Sequence, residues 1–224
     1  MMQVMVATIF NPDYLFCLPH WLNYVNTENY NDLNALIIAN SCPSDVIDDL
    51  SSIKIKYPIE VINTGDQHQV DTAILTGRML SVERAMRENN YLFFSDIDTI
   101  PIAPSVETLM SHFERDESVG MVSGNYHLKR KDRFEVVGNF PAPIGTPVEG
   151  EWNDRMNGLG FGFVIIKPEV LPFLKLSADY GKYKTEDLPC CDRVKEKGYK
   201  LVFVKNVRAR HLTFNRELNR VEAY

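Results

Sequence analysis

The chain has 224 residues, 45% hydrophobic and 24% charged, with a formal net charge of -6. That length supports one large domain or two small ones around a continuous core, which excludes a disulfide-stapled miniprotein, and the composition excludes a disordered chain. The acidic balance, with a sequence pI of 5.4, excludes a uniformly basic nucleic-acid-binding surface, so any anionic partner must meet a local positive site.

In chain order, residues 1–9 carry no basic stretch ahead of a long apolar run, and they read as a first strand over 3–9 rather than a signal peptide. Further strand-like runs fall at 33–39, 59–63, 91–95, 119–123, 161–166 and 200–204. Between the third and fourth runs, Ile74, Leu75, Met79, Val82, Ala85 and Met86 recur at three- and four-residue steps and predict a helix over 71–88. Strands alternating with helices predict an α/β fold whose mostly parallel sheet is covered on both faces. From 124 to 158 the periodicity fades among Gly, Pro and Asn, which reads as a long loop, either functional or disordered. No run reaches the ~18 apolar residues of a membrane span, and a cytoplasmic location is expected. The four cysteines are Cys17, Cys42, Cys190 and Cys191, with the last two adjacent and no Cys-x-x-Cys pair, so they read as reduced thiols with no structural zinc site.

Three segments carry chemistry. The apolar run 91–95 ends in Asp96-Ile97-Asp98, and ligands of open α/β sheets bind at the carboxyl ends of strands. Extended backbone would point both carboxylates to one side, where their mutual repulsion favours a divalent cation. The plain alternative is a turn, with Pro101 closing it. Downstream, a helix is expected with Thr185 as N-cap, Pro189 in its first turn and Gly198 as its stop. Glu186 and Asp187 then lie at its positive end, where acids stabilise a helix with or without a catalytic duty. Finally, Lys205, Arg208, Arg210, Arg216 and Arg220 face only Glu217, and His211 sits among them. A solvated basic tail is the bland explanation. An imidazole completing a carboxylate metal site, with guanidinium groups around a phosphate-bearing ligand, is the chemical one.

Together these residues resemble a GT-A fold nucleotide-sugar glycosyltransferase, close in pattern to the family 2-like enzymes. The resemblance spans most of the chain. It is carried by Val6 to Asn11 at the first strand, Gly77-Arg78, Asp96-Ile97-Asp98, the run Asn157 to Phe163, Lys167 to Leu171, Glu186-Asp187 with Arg193, Gly198-Tyr199, and the strand leading to His211. It implies a single GT-A (Rossmann-like) α/β domain, with a mixed, mostly parallel central sheet flanked by helices. Residues 1–100 would be the nucleotide-binding half and 101–224 the acceptor-binding half. It further implies a metal-dependent transfer of one sugar from a nucleoside-diphosphate sugar, of UDP or GDP type, to a hydroxyl of a carbohydrate or glycoconjugate acceptor. Asp98, Asp96 and His211 would hold Mn2+ or Mg2+. Thr8, Phe10, Asn11, Arg78, Asp96 and Gly160 would contact the donor. Asp187, or else Glu186, would be the general base of an inverting reaction.

The chain departs from that pattern where the second strand ends Ile37-Ile38-Ala39-Asn40-Ser41-Cys42, without the aspartate that reads the base. It also lacks the Gln-x-x-Arg-Trp sequence of processive synthases, which favours single transfer. A haloacid dehalogenase-like phosphatase would place Thr two positions beyond its second Asp, whereas Thr99 follows Asp98 directly. A nucleotidylyltransferase would show a Gly-rich turn after its first strand, and Ala7 to Pro12 has none. A non-catalytic nucleotide-sugar-binding protein is the remaining alternative. The segment 127–133 reads as a solvated hairpin tip, or else as a loop that covers the donor or recognises an anionic acceptor, and Trp152 as a core residue or a stacking platform for an acceptor sugar.

Overall fold

Runs of buried apolar residues become strands wherever both of their faces are covered, and the N-terminal half follows that rule closely. A computed structural model describes residues 2–66, 69–130, 133–137, 139–141, 152–153, 156–177, 179, 185–215 and 220–223. Its elements are β1 (Val4–Phe10), α1 (Leu18–Thr27), β2 (Leu33–Ala39), α2 (Ser44–Ser52), β3 (Ile59–Asn63), α3 (Val70–Glu88), β4 (Tyr91–Ser95), β5 (Thr99–Pro101) and α4 (Val106–Arg115). They continue with β6 (Val119–Arg130), β7 (Arg133–Val137), β8 (Asn139–Pro141), β9 (Trp152–Asn153), β10 (Met156–Leu159), β11 (Phe163–Ile166), α5 (Asp187–Glu196), β12 (Lys200–Asn215) and β13 (Arg220–Ala223). No helix among the described residues is long and apolar enough to cross a membrane.

The main sheet runs β13-β12-β6-β11-β4-β1-β2-β3, with β5, β7 and β9 paired at its side. β1 pairs in parallel with β2 and β4, and β2 with β3. Antiparallel pairing enters at β11, which lies between β4 and β6. The chain therefore leaves β1 toward β2 on one side and returns through α3 to β4 on the other. That reversal opens a crevice beyond the carboxyl ends of β1 and β4, where ligands of such sheets bind. Asn11 and Asp96 are the first residues past those two ends.

Alternate residues of the strands feed two cores. Val6, Phe10, Ile37 and Phe93 pack with Trp21 of α1 and Leu109 of α4 on one face. Met5, Leu36, Leu92 and Phe94 pack with Val82 of α3 and Val194 of α5 on the other. A buried carboxylate joins two helices of the first layer: Glu28 is fully buried and its Oε2 accepts from Ser105 N and Oγ, both at 3.0 Å, and from Val106 N at 3.4 Å. It thereby caps the exposed amides at the start of α4, a task usually left to the Ncap side chain.

The strand expected over 119–123 extends to Arg130, and the segment expected as a loop over 124–158 contains β7 to β10. Antiparallel ladders satisfy their own backbone groups, so β6 and β7 pair in register Tyr126↔Val137 without an apolar period to announce them. Similarly, the strand expected to end at 204 runs to Asn215, because Arg208 and Arg210 alternate with buried Val207 and Ala209. What reads as a basic tail is a strand with one wet face. The described backbone of β9 places Trp152 opposite Val204 of β12, and the Trp152 side chain lies outside the described atoms. Residues 131, 132, 216 and 217 also lie outside the described residues.

Candidate functional site

β4 delivers Asp96 into the crevice, and then the backbone turns. Thr99 N donates to Asp96 C=O at 2.8 Å, so Asp96 to Thr99 form a turn rather than the extended segment that alternation assumed. In consequence the two aspartates engage different partners instead of pointing to one side together. Asp96 faces α3 and α5, Ile97 is buried, and Asp98 faces β12.

Asp98 meets His211 through the pairing of β5 with β12. The register His211↔Thr99 brings the imidazole across, and Leu212 N donates to Asp98 C=O at 2.7 Å. Asp98 Oδ2 and His211 Nε2 are 3.3 Å apart, with side chains 21% and 12% exposed. Neighbouring ligands of an octahedral cation with bonds of about 2.1 Å are roughly 3 Å apart, so this oxygen–nitrogen pair has the spacing of two donors to one ion. Among the described residues no three His, Cys, Asp or Glu side chains converge on one point. His211 Nδ1 is buried without a hydrogen-bond partner. Both groups line a cleft of about 600 Å³ with Tyr14, Phe16, Thr213 and Phe214.

Asp96 belongs to a second cluster, organised by Arg78 of α3. The guanidinium is 5% exposed and donates to Asp96 Oδ1 at 2.9 Å, Glu186 Oε1 at 3.3 Å and Phe161 C=O at 3.1 Å. Its central carbon lies 4.6 Å and 5.6 Å from the ring centroids of Phe94 and Phe161. Set against a pair of rings that stack on each other and forked toward carboxylates, Arg78 uses features that Lys lacks. Burial lifts the Asp96 carboxyl above the usual carboxylate range; Asp98 and Glu186 push the same way, and Arg78 opposes them.

Asp187 opens α5. Its Oδ1 accepts from Leu188 N at 2.8 Å and from Thr185 Oγ1. The expected N-cap role of Thr185 is therefore corrected: Glu186 occupies the cap position without a side-chain cap bond, and the Thr185 hydroxyl steadies the aspartate instead. The helix stops as expected at Gly198, whose φ of +87° suits glycine. Burial raises the Asp187 carboxyl, reinforced by Glu186, while the Thr185 hydroxyl, Arg78 and the Leu188 amide lower it.

The remaining candidates are less convergent. Thr8 Oγ1 is buried in β1 with no partner. Phe10 is fully buried in the core, and its C=O accepts from Asn40 N at 2.8 Å. Asn11 Oδ1 caps the following turn by accepting from Asp13 N at 2.9 Å. Gly160 is buried just after β10. Tyr126, which no sequence signal singled out, stands beside the Asp96 cluster: burial and the charges of Asp96 and Asp187 hold its phenol well above its ordinary pKa. Neither a period nor a motif marks a tyrosine midway along a strand.

No protein-family model matches the sequence, and no curated protein matches it. The fold does match solved structures. The crystal structure of GalNAc-T7 with UDP, GalNAc and Mn2+ superposes with a TM-score of 0.70 and 12% identity, over 94% of this chain and 44% of that one. The chain has the GT-A fold. It spans less than half the length of GalNAc-T7, and at such identity the likeness speaks of architecture. Within this GT-A domain, the roles of Asp96, Asp98, His211 and Asp187 rest on where they stand.

Proposed function

We propose that the protein is a metal-dependent glycosyltransferase that moves one sugar from a nucleoside-diphosphate sugar to an acceptor hydroxyl, with inversion. The observation that carries this reading is the meeting, at the crevice between β1 and β4, of Asp98 with His211 and of Asp96, through Arg78, with the acidic start of α5. Asp98 and His211 would hold Mn2+ or Mg2+, which supplies Lewis-acid stabilisation of the departing diphosphate. GalNAc-T7 was crystallised with Mn2+ and UDP, which supports a divalent ion and a UDP-type donor.

Asp187 is the general base in this reading. Thr185 and Leu188 occupy Oδ1, and among the described residues Oδ2 has no hydrogen-bond partner, so Oδ2 would take the proton of an acceptor hydroxyl as it attacks the anomeric carbon. A raised carboxyl is the stronger base once ionised, which suits proton removal near neutral pH. Glu186 is tied to Arg78 and serves to position the helix start rather than to move a proton. Residues 1–100 would hold the nucleotide and 101–224 the acceptor. A phosphatase would need Asp96 free as a nucleophile, and the Arg78 contact speaks against that.

Calorimetry with UDP and GDP, with and without Mn2+, tests the reading. Binding by one of them that requires the metal is expected; binding that ignores the metal, or none at all, overturns it.

A further inference from the structure

Successive residues of a strand face opposite ways, so Arg208 and Arg210 of β12 point away from the side on which His211 meets Asp98. They line two other clefts, of about 460 and 320 Å³, which share Ile102 and Pro104 as a common wall and include neither Asp98 nor His211. The smaller cleft holds Arg210 with His20, and the larger holds Arg208 with His112 and Arg115 of α4. Burial lowers the His112 imidazole below its ordinary pKa, and Arg115 beside it pushes the same way. Among the described residues no Asp or Glu lines either cleft, and Arg115, Arg208 and Arg210 make no ion pair or side-chain hydrogen bond. In a chain of net charge -6, three unpaired guanidinium groups are thus gathered on one face. Between them the lining mixes uncharged hydrogen-bonding side chains, Asn23, Asn29, Thr108 and Asn206, with apolar Pro104 and Val207.

We propose that the two clefts form one groove that binds an acidic saccharide chain, with Arg115, Arg208 and Arg210 holding its anionic groups and the amide and hydroxyl side chains meeting its hydroxyls. The groove lies across β12 from the Asp98–His211 pair, so the proposal stands whatever reaction that pair serves. A guanidinium presents paired N–H donors to an oxyanion. Cations two residues apart on a strand are about 7 Å apart along it, so a ligand charged at intervals engages more than one. Each cleft also falls within the range of about 300–1,000 Å³ typical of small-molecule sites. Single-stranded nucleic acid fits less well, because its bases stack on accessible aromatic rings. Among the described lining residues the one aromatic is Tyr24, which is buried with its hydroxyl bonded to Ser105. A membrane surface fits less well too, because interfacial binding needs an exposed apolar face. Ile102 is the one large exposed apolar side chain among the described lining residues.

The test is calorimetry without nucleotide or metal, using a galacturonate hexamer, a chondroitin sulfate hexasaccharide and, as the neutral control, maltohexaose. At least one acidic chain should bind about 10-fold or more tightly than maltohexaose, with an affinity that falls as salt is raised. If galacturonate binds the tighter of the two, carboxylates are what the arginines hold; if chondroitin sulfate does, sulfate esters are. Arg115→Ala and Arg208→Ala should each weaken the preferred chain by about 10-fold, as loss of a charge-assisted hydrogen bond does, and Arg208→Lys should recover part of that loss. Because these guanidinium groups have no partner among the described residues, the variants should melt with the wild type. They should also keep wild-type affinity for UDP and GDP in the presence of Mn2+. The proposal is overturned if neither acidic chain outbinds maltohexaose, or if the alanine variants bind the preferred chain as wild type does. It is equally overturned if those variants lose nucleotide affinity in step, which would return the arginines to the donor site. Tighter binding of a thymidine hexanucleotide or of phosphatidylglycerol vesicles than of either acidic chain overturns it as well.

Discussion

Replacing Arg78 by Met tests whether the site is organised around that guanidinium. Met retains the stem that packs against Phe94 and Phe161 but removes the hydrogen bonds to Asp96 at 2.9 Å, Phe161 C=O at 3.1 Å and Glu186 at 3.3 Å. Two carboxylates then face each other without a cation. Removing one partner of a buried pair costs about 3–5 kcal/mol. Here the Asp96 side chain is 38% exposed, against 18% for Glu186, so water screens part of the penalty and about 3 kcal/mol is expected near neutral pH. For a chain of this size that is roughly 6–12 °C in melting temperature. The pH dependence gives the sharper signature. Asp96 already has a raised carboxyl, and losing Arg78, which opposes the rise, lifts it further. A carboxyl raised by folding makes the folded state bind more protons than the unfolded one, so stability falls as pH climbs from the unfolded value through the folded one. The deficit of the variant should therefore be full near neutrality and shrink on acidification as Asp96 takes up its proton. Urea midpoints of both proteins over roughly pH 5 to 8 measure this, provided the slopes agree. A deficit that is flat with pH, that widens toward acid, or that stays below about 1 kcal/mol refutes the reasoning.

Asp187→Asn should leave nucleotide affinity within a few-fold and lower turnover by about 100-fold or more, as loss of a general base does; unchanged turnover removes its role. Because burial raises the Asp187 carboxyl, the acid limb of the wild-type rate profile should lie above the ordinary carboxylate range, and a limb at or below that range would contradict the assignment. Asp98→Ala and His211→Ala should each abolish the Mn2+-dependent part of nucleotide binding, and retention of it in either would separate that residue from the metal. Glu28→Ala strips three hydrogen bonds from the start of α4 and should cost about 1–3 kcal/mol in urea unfolding while leaving metal-dependent nucleotide affinity unaltered.

The parallel half of the fold was legible because its strands are covered on both faces. Runs such as 33–39 and 91–95 are apolar apart from Asn34 and Ser95, and their predicted bounds coincide with β2 and β4. α3 was equally plain from its three- and four-residue spacing. The C-terminal half was legible only in part, since its signal is diluted by one wet face. Arg208 and Arg210 of β12 look like a solvated tail unless the intervening Val207 and Ala209 are weighed with them. At the site, strand position announced Asp96 and Asp98, and the acidic start of α5 announced Glu186 and Asp187. Tyr126 was not legible as a neighbour of Asp96, because only the antiparallel insertion of β11 between β4 and β6 brings their strands together across the sheet.

The turn after β4 also changes the meaning of the Asp-x-Asp pattern. If the segment were extended, both carboxylates would share one environment, and a single cation would be the natural relief for both. In the folded chain Arg78 meets the charge of Asp96, whereas Asp98 has the His211 imidazole beside one oxygen and the Thr99 hydroxyl donating to the other at 3.4 Å. Among the described residues no Lys or Arg pairs with Asp98, so a divalent ion there would meet a carboxylate that no protein cation already holds. Asp96 instead keeps Oδ1 on the guanidinium of Arg78. The two carboxylates of a three-residue motif thus sit in different electrostatic settings, because a protein cation drawn from α3 and set over two phenylalanine rings engages one of them.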